Sequence, residues 1–195
     1  MKFISIKKNQ RGFTLMEIIV VLAIFTITIS IMADIFITSI TAQRKIIVRQ
    51  KLFASARYSI ELMSRYIRTG TISYSDFSDP VLICDDEIYI RDNDDIKTFF
   101  KLCEGCGSCP AGVGKCLIMS IDEGITWDSV TPKGVEVDKL EFYIKPSTDP
   151  FIVGGPDVQP RATIILKLKN NSDLSSSYQS EVLIQTTIST RIYDR

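Results

Sequence analysis

Residues Ile18 to Ala33 form an uncharged, mostly apolar run of 16 residues, and the segment before it is unusual. Met1 to Gly12 holds Lys2, Lys7, Lys8 and Arg11 and no acid, and Phe13-Thr14-Leu15-Met16-Glu17 joins it to the run. In an ordinary secretory signal a small-residue cleavage site follows the apolar core, which is then discarded. Here the small residue, Gly12, comes first, so cutting after it leaves the apolar helix on the mature chain. Sixteen residues rise only about 24 Å as a helix, short of the roughly 30 Å of a bilayer core. A span must therefore draw on its flanks, which brings Glu17 or Asp34 to membrane depth. A carboxylate there costs about 2.5–3.5 kcal/mol on insertion scales, which marks Glu17 as a functional candidate. The plainer alternative sets Glu17 at the headgroup boundary; Asp34 is expected near the outer interface.

Gly12-Phe13-Thr14-Leu15-Met16-Glu17 followed by an apolar helix resembles the leader junction of type IV prepilins and type II secretion pseudopilins. The resemblance implies cleavage by a prepilin peptidase between Gly12 and Phe13, then methylation of the new Phe13 amine. It also implies that Glu17 pairs with a Phe13 amine, its own or a neighbour's, during assembly, offsetting two charges that are costly in lipid. Charge counting does not orient the span, because Arg44, Lys45, Arg49 and Lys51 balance the basic leader. The resemblance does, with the N-terminus inside and the C-terminal part outside. Two looser matches point to J-type minor pseudopilins or W-type minor pilins: Ala56 to Arg68 resembles their spine, and Gln185 to Arg191 their closing strand.

The chain has 195 residues and no net formal charge; losing the leader's four cations leaves a mature charge of minus four. That balance carries no nucleic-acid footprint. The absence of histidine removes histidine-based triads and histidine metal ligation. No nucleophile–base pair stands out, so no enzymatic role and no small-molecule substrate are expected. Asp85-Asp86-Glu87 and Asp92-Asn93-Asp94-Asp95 fall between apolar runs and suit turns; a calcium site around Asp92 and Asp94 is the alternative.

From Ala42 to Thr69 there is no Gly or Pro, and Phe53, Ala56, Ile60, Met63 and Ile67 recur at helical spacing. Gly70 marks the stop. The expected organisation is a leader over 1–12, a spine helix over 13–69 with its membrane half at about 13–42, and a β-rich head over 70–195. Expected strands are Val81–Cys84 and Glu87–Arg91 as a hairpin, then Ile96–Leu102, Leu117–Ile121, Ile125–Val130, Val135–Lys145, Thr163–Lys169 and Glu181–Ile192. The fold class is α+β: a long N-terminal hydrophobic helix, pilin-like in the resemblance, packed on a mainly antiparallel head.

Five cysteines, Cys84, Cys103, Cys106, Cys109 and Cys116, are disulfide candidates. The start of the cluster resembles iron–sulfur ligand runs, but its last spacing does not. Four thiolates, Cys103, Cys106, Cys109 and Cys116, form the zinc alternative; otherwise no cofactor is expected. If the flanking strands pair, Cys103 and Cys116 face each other and a bridge between them staples the loop neck.

The leading expectation is a non-enzymatic minor pilin or pseudopilin, whose partners are the prepilin peptidase, sister subunits and the cytoplasmic membrane. Type IV pilus, type II secretion and DNA uptake machines stay open. The rival is a single-span, membrane-anchored cysteine-rich domain that binds metal or carries electrons.

Overall fold

The computed structural model describes residues 12–77, 84–92, 94–110, 112–152, 155, 158–170 and 179–191. Most of the leader, Val81 to Ile83 and Ile192 lie outside the described residues. The chain divides into two compact units, Met1–Arg44 and Lys45–Arg195.

One α-helix, α1, covers Leu15–Thr69. In the first unit its apolar side chains are exposed all round: Ile18, Ile24, Phe25, Ile31 and Phe36 are each more than half accessible. Four hydroxyls among them are satisfied within the helix. Thr26, Thr28, Ser30 and Thr41 hydroxyls donate to Ala23, Ile24, Thr26 and Ile37 carbonyls at 2.7–2.9 Å. Such back-bonding removes the need for water, which a lipid-facing helix lacks. By length and composition this is the one described helix able to cross a membrane.

In the second unit the helix buries one stripe, Leu52, Ser55, Ala56, Ser59, Met63 and Ile67. The expected stripe needs one correction: Phe53 is 45% exposed, and Leu52 takes the buried place. The sheets cover the side of the helix that carries Leu52, and Phe53, about 100° further round, is left outside it. Small side chains at 55, 56 and 59 let the helix backbone come close to the sheets. Arg57, Glu61, Arg65 and Arg68 face solvent, as their positions off the stripe imply.

Two antiparallel sheets complete this unit. Strands β1 (Thr71–Ile72), β3 (Glu87–Arg91), β4 (Lys97–Glu104), β5 (Lys115–Ser120) and β6 (Asp128–Ser129) form the first, in the order β1-β3-β4-β5-β6. Strands β2 (Cys84–Asp85), β7 (Val135–Lys145), β8 (Arg161–Asn170) and β9 (Glu181–Ser189) form the second, in the order β2-β7-β8-β9. The fold is α+β, with one core shared by α1 and both sheets: Met63 and Ile67 join Ile88, Phe100, Leu117, Phe142, Leu166 and Ile188. Tyr66 sets its ring edge-on to Phe100 at 5.6 Å.

β8 obeys simple alternation, with Ala162, Ile164, Leu166 and Leu168 fully buried between neighbours that are exposed or partly exposed. β7 buries Val135 and Val137, then Leu140, Phe142 and Ile144, a change from odd to even positions. A bulge between Val137 and Lys139 absorbs it, so both halves keep facing the core.

The expected Val81–Cys84/Glu87–Arg91 hairpin does not form. Cys84 and Asp85 pair with Tyr143 and Phe142 of β7, in the other sheet. The chain changes sheets at Asp86, whose carbonyl accepts the Leu102 N–H at 3.0 Å. Two acidic residues read as a turn are thus a crossover. The Ile125–Val130 strand shortens to Asp128–Ser129, because Asp122 to Ile125 form a turn with Glu123 and Gly124 at positive φ. By contrast Asp92 to Ile96 is a true hairpin turn between β3 and β4, closed by Asp92 N–H to Ile96 O at 3.0 Å.

Candidate functional site

Two places gather the residues singled out by sequence. In the first unit, Gly12, Phe13 and Thr14 precede the helix and are exposed, Phe13 by 77%. Among the described residues nothing lies within 4 Å of the position a Gly12 Cβ would take. Thr14 caps the helix: its Oγ1 accepts the Glu17 N–H at 3.2 Å, and its carbonyl accepts the Glu17 and Ile18 N–H groups. This role was missed in the sequence, although Thr14-x-x-Glu17 has capping-box spacing. The cap determines where the helix starts, and so keeps the Gly12–Phe13 bond outside it. Glu17 sits in the first turn, where a carboxylate favours the positive end of the helix dipole.

In the second unit β4 and β5 carry the cysteine loop. Cys103 and Cys116 are Cα partners across the ladder, as expected if the strands pair. Their sulfurs nonetheless do not join. Cys103 and Cys106 lie at disulfide distance, with Cα atoms 6.0 Å apart, as do Cys109 and Cys116, with Cα atoms 5.7 Å apart. Register alone does not decide the pairing. Gly105 N–H donates to Gly114 O at 2.9 Å, so the 103/116 pair, two residues along, is a hydrogen-bonded pair. Cα atoms in such a pair stand about 5.5 Å apart, within bridging range, so the ladder by itself does not forbid the bridge. The neck is closed by the ladder, by Gly105 at φ +66° and by the Lys115–Glu104 ion pair at 3.0 Å. Cys84 is placed on β2, in the other sheet.

Cys103 and Cys116 are buried, Cys106 and Cys109 half-buried, and Val113, Ile118 and Trp127 pack around them. Among the described residues the sulfurs of Cys103, Cys106 and Cys109 all lie within 4.8 Å of one another. Asp92 and Asp94, the calcium alternative, belong to the β3–β4 turn; Arg91 pairs with Asp95 at 3.1 Å. A second turn, at Asp122-Glu123-Gly124 between two of the expected strands, is the better built. Asp122 accepts bonds from the Thr126 hydroxyl at 2.6 Å, the Thr126 N–H at 2.8 Å and the Ser120 hydroxyl at 2.7 Å. These bonds, those from Thr126 foremost, hold its carboxyl down at about 2. Its role is to shape the loop before β6.

A shallow groove runs between α1 and the edge strand β9, lined by Phe53, Arg57, Tyr58, Glu61, Ile184 and Thr186. Leu183, on β9, is also exposed.

Residues 7–33 match the family model described as the prokaryotic N-terminal methylation motif. No curated protein matches the chain. No solved structure matches it.

Proposed function

We propose that this chain is a minor pilin or pseudopilin: a non-enzymatic subunit cut between Gly12 and Phe13, methylated on Phe13, and assembled into a type IV pilus-like or type II secretion filament or its tip complex. The observation that carries this reading is the junction itself. An exposed, non-helical Gly12–Phe13 bond stands immediately before a capped helix, and the methylation motif covers that junction and the apolar run. Residues 1–12 would be the leader, 13–69 the spine with its membrane half at about 13–42, and 70–195 the head outside the cytoplasmic membrane. Glu17 would supply the assembly carboxylate, opposite a Phe13 amine. The exposed Phe53 and Tyr58 on α1 and Leu183 on β9 offer apolar surface to sister subunits. The spine and closing-strand segments, Ala56–Arg68 and Gln185–Arg191, favour the J- or W-type subclass.

The test is the start of the mature chain. Protein purified from membranes should begin at Phe13 with its amine methylated, and Gly12→Val should leave the precursor uncut yet inserted. Glycine lets the backbone approach the peptidase without a Cβ in the way. A start at Met1 in a host that carries the peptidase would turn the reading to a membrane-anchored cysteine-rich domain.

A further inference from the structure

Three sulfurs gather in one nest at the end of β4–β5, with a fourth at bridging distance from one of them, which spacing alone did not require. Two x2 spacings and one x6 spacing could have placed two bridges at separate points of the loop. Instead Cys103, Cys106 and Cys109 share one cluster, and Cys116 reaches it through Cys109. Cys106 Sγ and Cys109 Sγ, not bonded to each other, are 3.8 Å apart. A zinc ion with four thiolates at about 2.3 Å, arranged as a tetrahedron, sets its sulfurs roughly 3.8 Å from one another.

The backbone around the nest suits a chelate. Cys103 and Cys116 are anchored on paired strands, so two ligands are positioned by the ladder. Cys106 and Cys109 lie on one turn, closed by Cys109 N–H to Cys106 O at 3.1 Å. Gly105 at φ +66° turns the chain between the first two ligands. Among the described residues Val113 is the one aliphatic residue buried within the loop. So little burial cannot offset the ordering entropy of the loop, which needs a crosslink or an ion to hold it.

We propose that Cys103, Cys106, Cys109 and Cys116, when reduced, bind one zinc ion as a structural tetrathiolate site. Binding involves no redox change: four thiols release four protons to solvent as the ion enters. A disulfide-linked chain has no thiolate to offer, so metal and bridges are alternative staples of the same loop. The site stands on the head alone and does not depend on processing of the N-terminus.

The full chain in detergent, reduced anaerobically with a phosphine, is mixed with one equivalent of zinc and then alkylated. Intact mass and peptide mapping count the labels. Zinc should protect these four thiols together, and a chelator added first should abolish the protection. Cobalt titrated into the same reduced protein should give thiolate charge-transfer and tetrahedral visible bands that saturate at one ion per chain and vanish when zinc is added. Labelling of the four thiols at an unchanged rate with zinc present, or cobalt without tetrahedral bands, overturns the site.

Discussion

At the scale of single residues, hydroxyls and carboxylates separate into those with partners and those without. Ser55 Oγ donates to Lys51 O at 2.9 Å, whereas Ser59 Oγ, one turn further and fully buried, has no partner among the described residues. A buried hydroxyl without a partner costs about 1–3 kcal/mol. Ser59→Ala should therefore raise stability by about 1 kcal/mol, after allowing for small relaxations, as measured by denaturant unfolding. Asp122 behaves in the opposite sense. Its folded pKa, about 2, lies below its ordinary value of 3.8, so its bonds stabilise the turn above that ordinary value. The contribution is lost as pH falls from about 4 towards 2. Trp127, the sole tryptophan and close in sequence to Thr126, reports on this turn. An acid titration of its fluorescence should show a change in that window, and Asp122→Asn should remove it while lowering stability at neutral pH.

At the scale of elements, the end of α1 is determined by contact rather than by backbone handedness. Gly70 donates its N–H to Tyr66 O at 2.9 Å. A Cβ at this position would lie 2.5 Å from Ile90 Cγ2 and 2.7 Å from Arg91 O. The side-chain atom can move, but the carbonyl belongs to β3, which pairs with β1. Gly70→Ala should thus cost about 1–3 kcal/mol, as overpacking does, and chemical denaturation of the head would measure it. The stop signal read from the sequence was correct, and its cause is the close approach of β3. The sheets show the same division. Alternation in β8 was visible in the residues alone, and the shift of phase in β7 is resolved by a bulge that sequence pattern could only hint at.

At the scale of the whole molecule, Glu17 links the anchor to the proposed assembly. Glu17→Val removes a charge from the span, so membrane insertion should be retained or slightly improved. Incorporation into filaments or tip complexes should fall, because the Phe13 amine would lose its counter-charge. Crosslinking of this subunit to its neighbours checks the prediction, and normal incorporation of Glu17→Val counts against the pairing. Because the proposed role is that of a minor subunit, the assay follows this chain and not bulk filament yield.

The N-terminal segment and the α+β class were legible in the sequence because both rest on local signals. Gly12, Phe13, Glu17 and the run from Ile18 to Ala33 lie within one short stretch, and the period of α1 changes to strand alternation after Gly70. Tertiary structure decided what depends on distant partners. Cys84 and Asp85 left the expected hairpin because β1 and β4 take the two edges of β3, and they pair instead with Tyr143 and Phe142 of β7. Leu52 displaced Phe53 because the sheets choose which side of the helix is covered. Cys103 and Cys116 are register partners, yet their sulfurs lie at bridging distance from Cys106 and Cys109, because the fold of the loop between the strands brings those two sulfurs back to the neck.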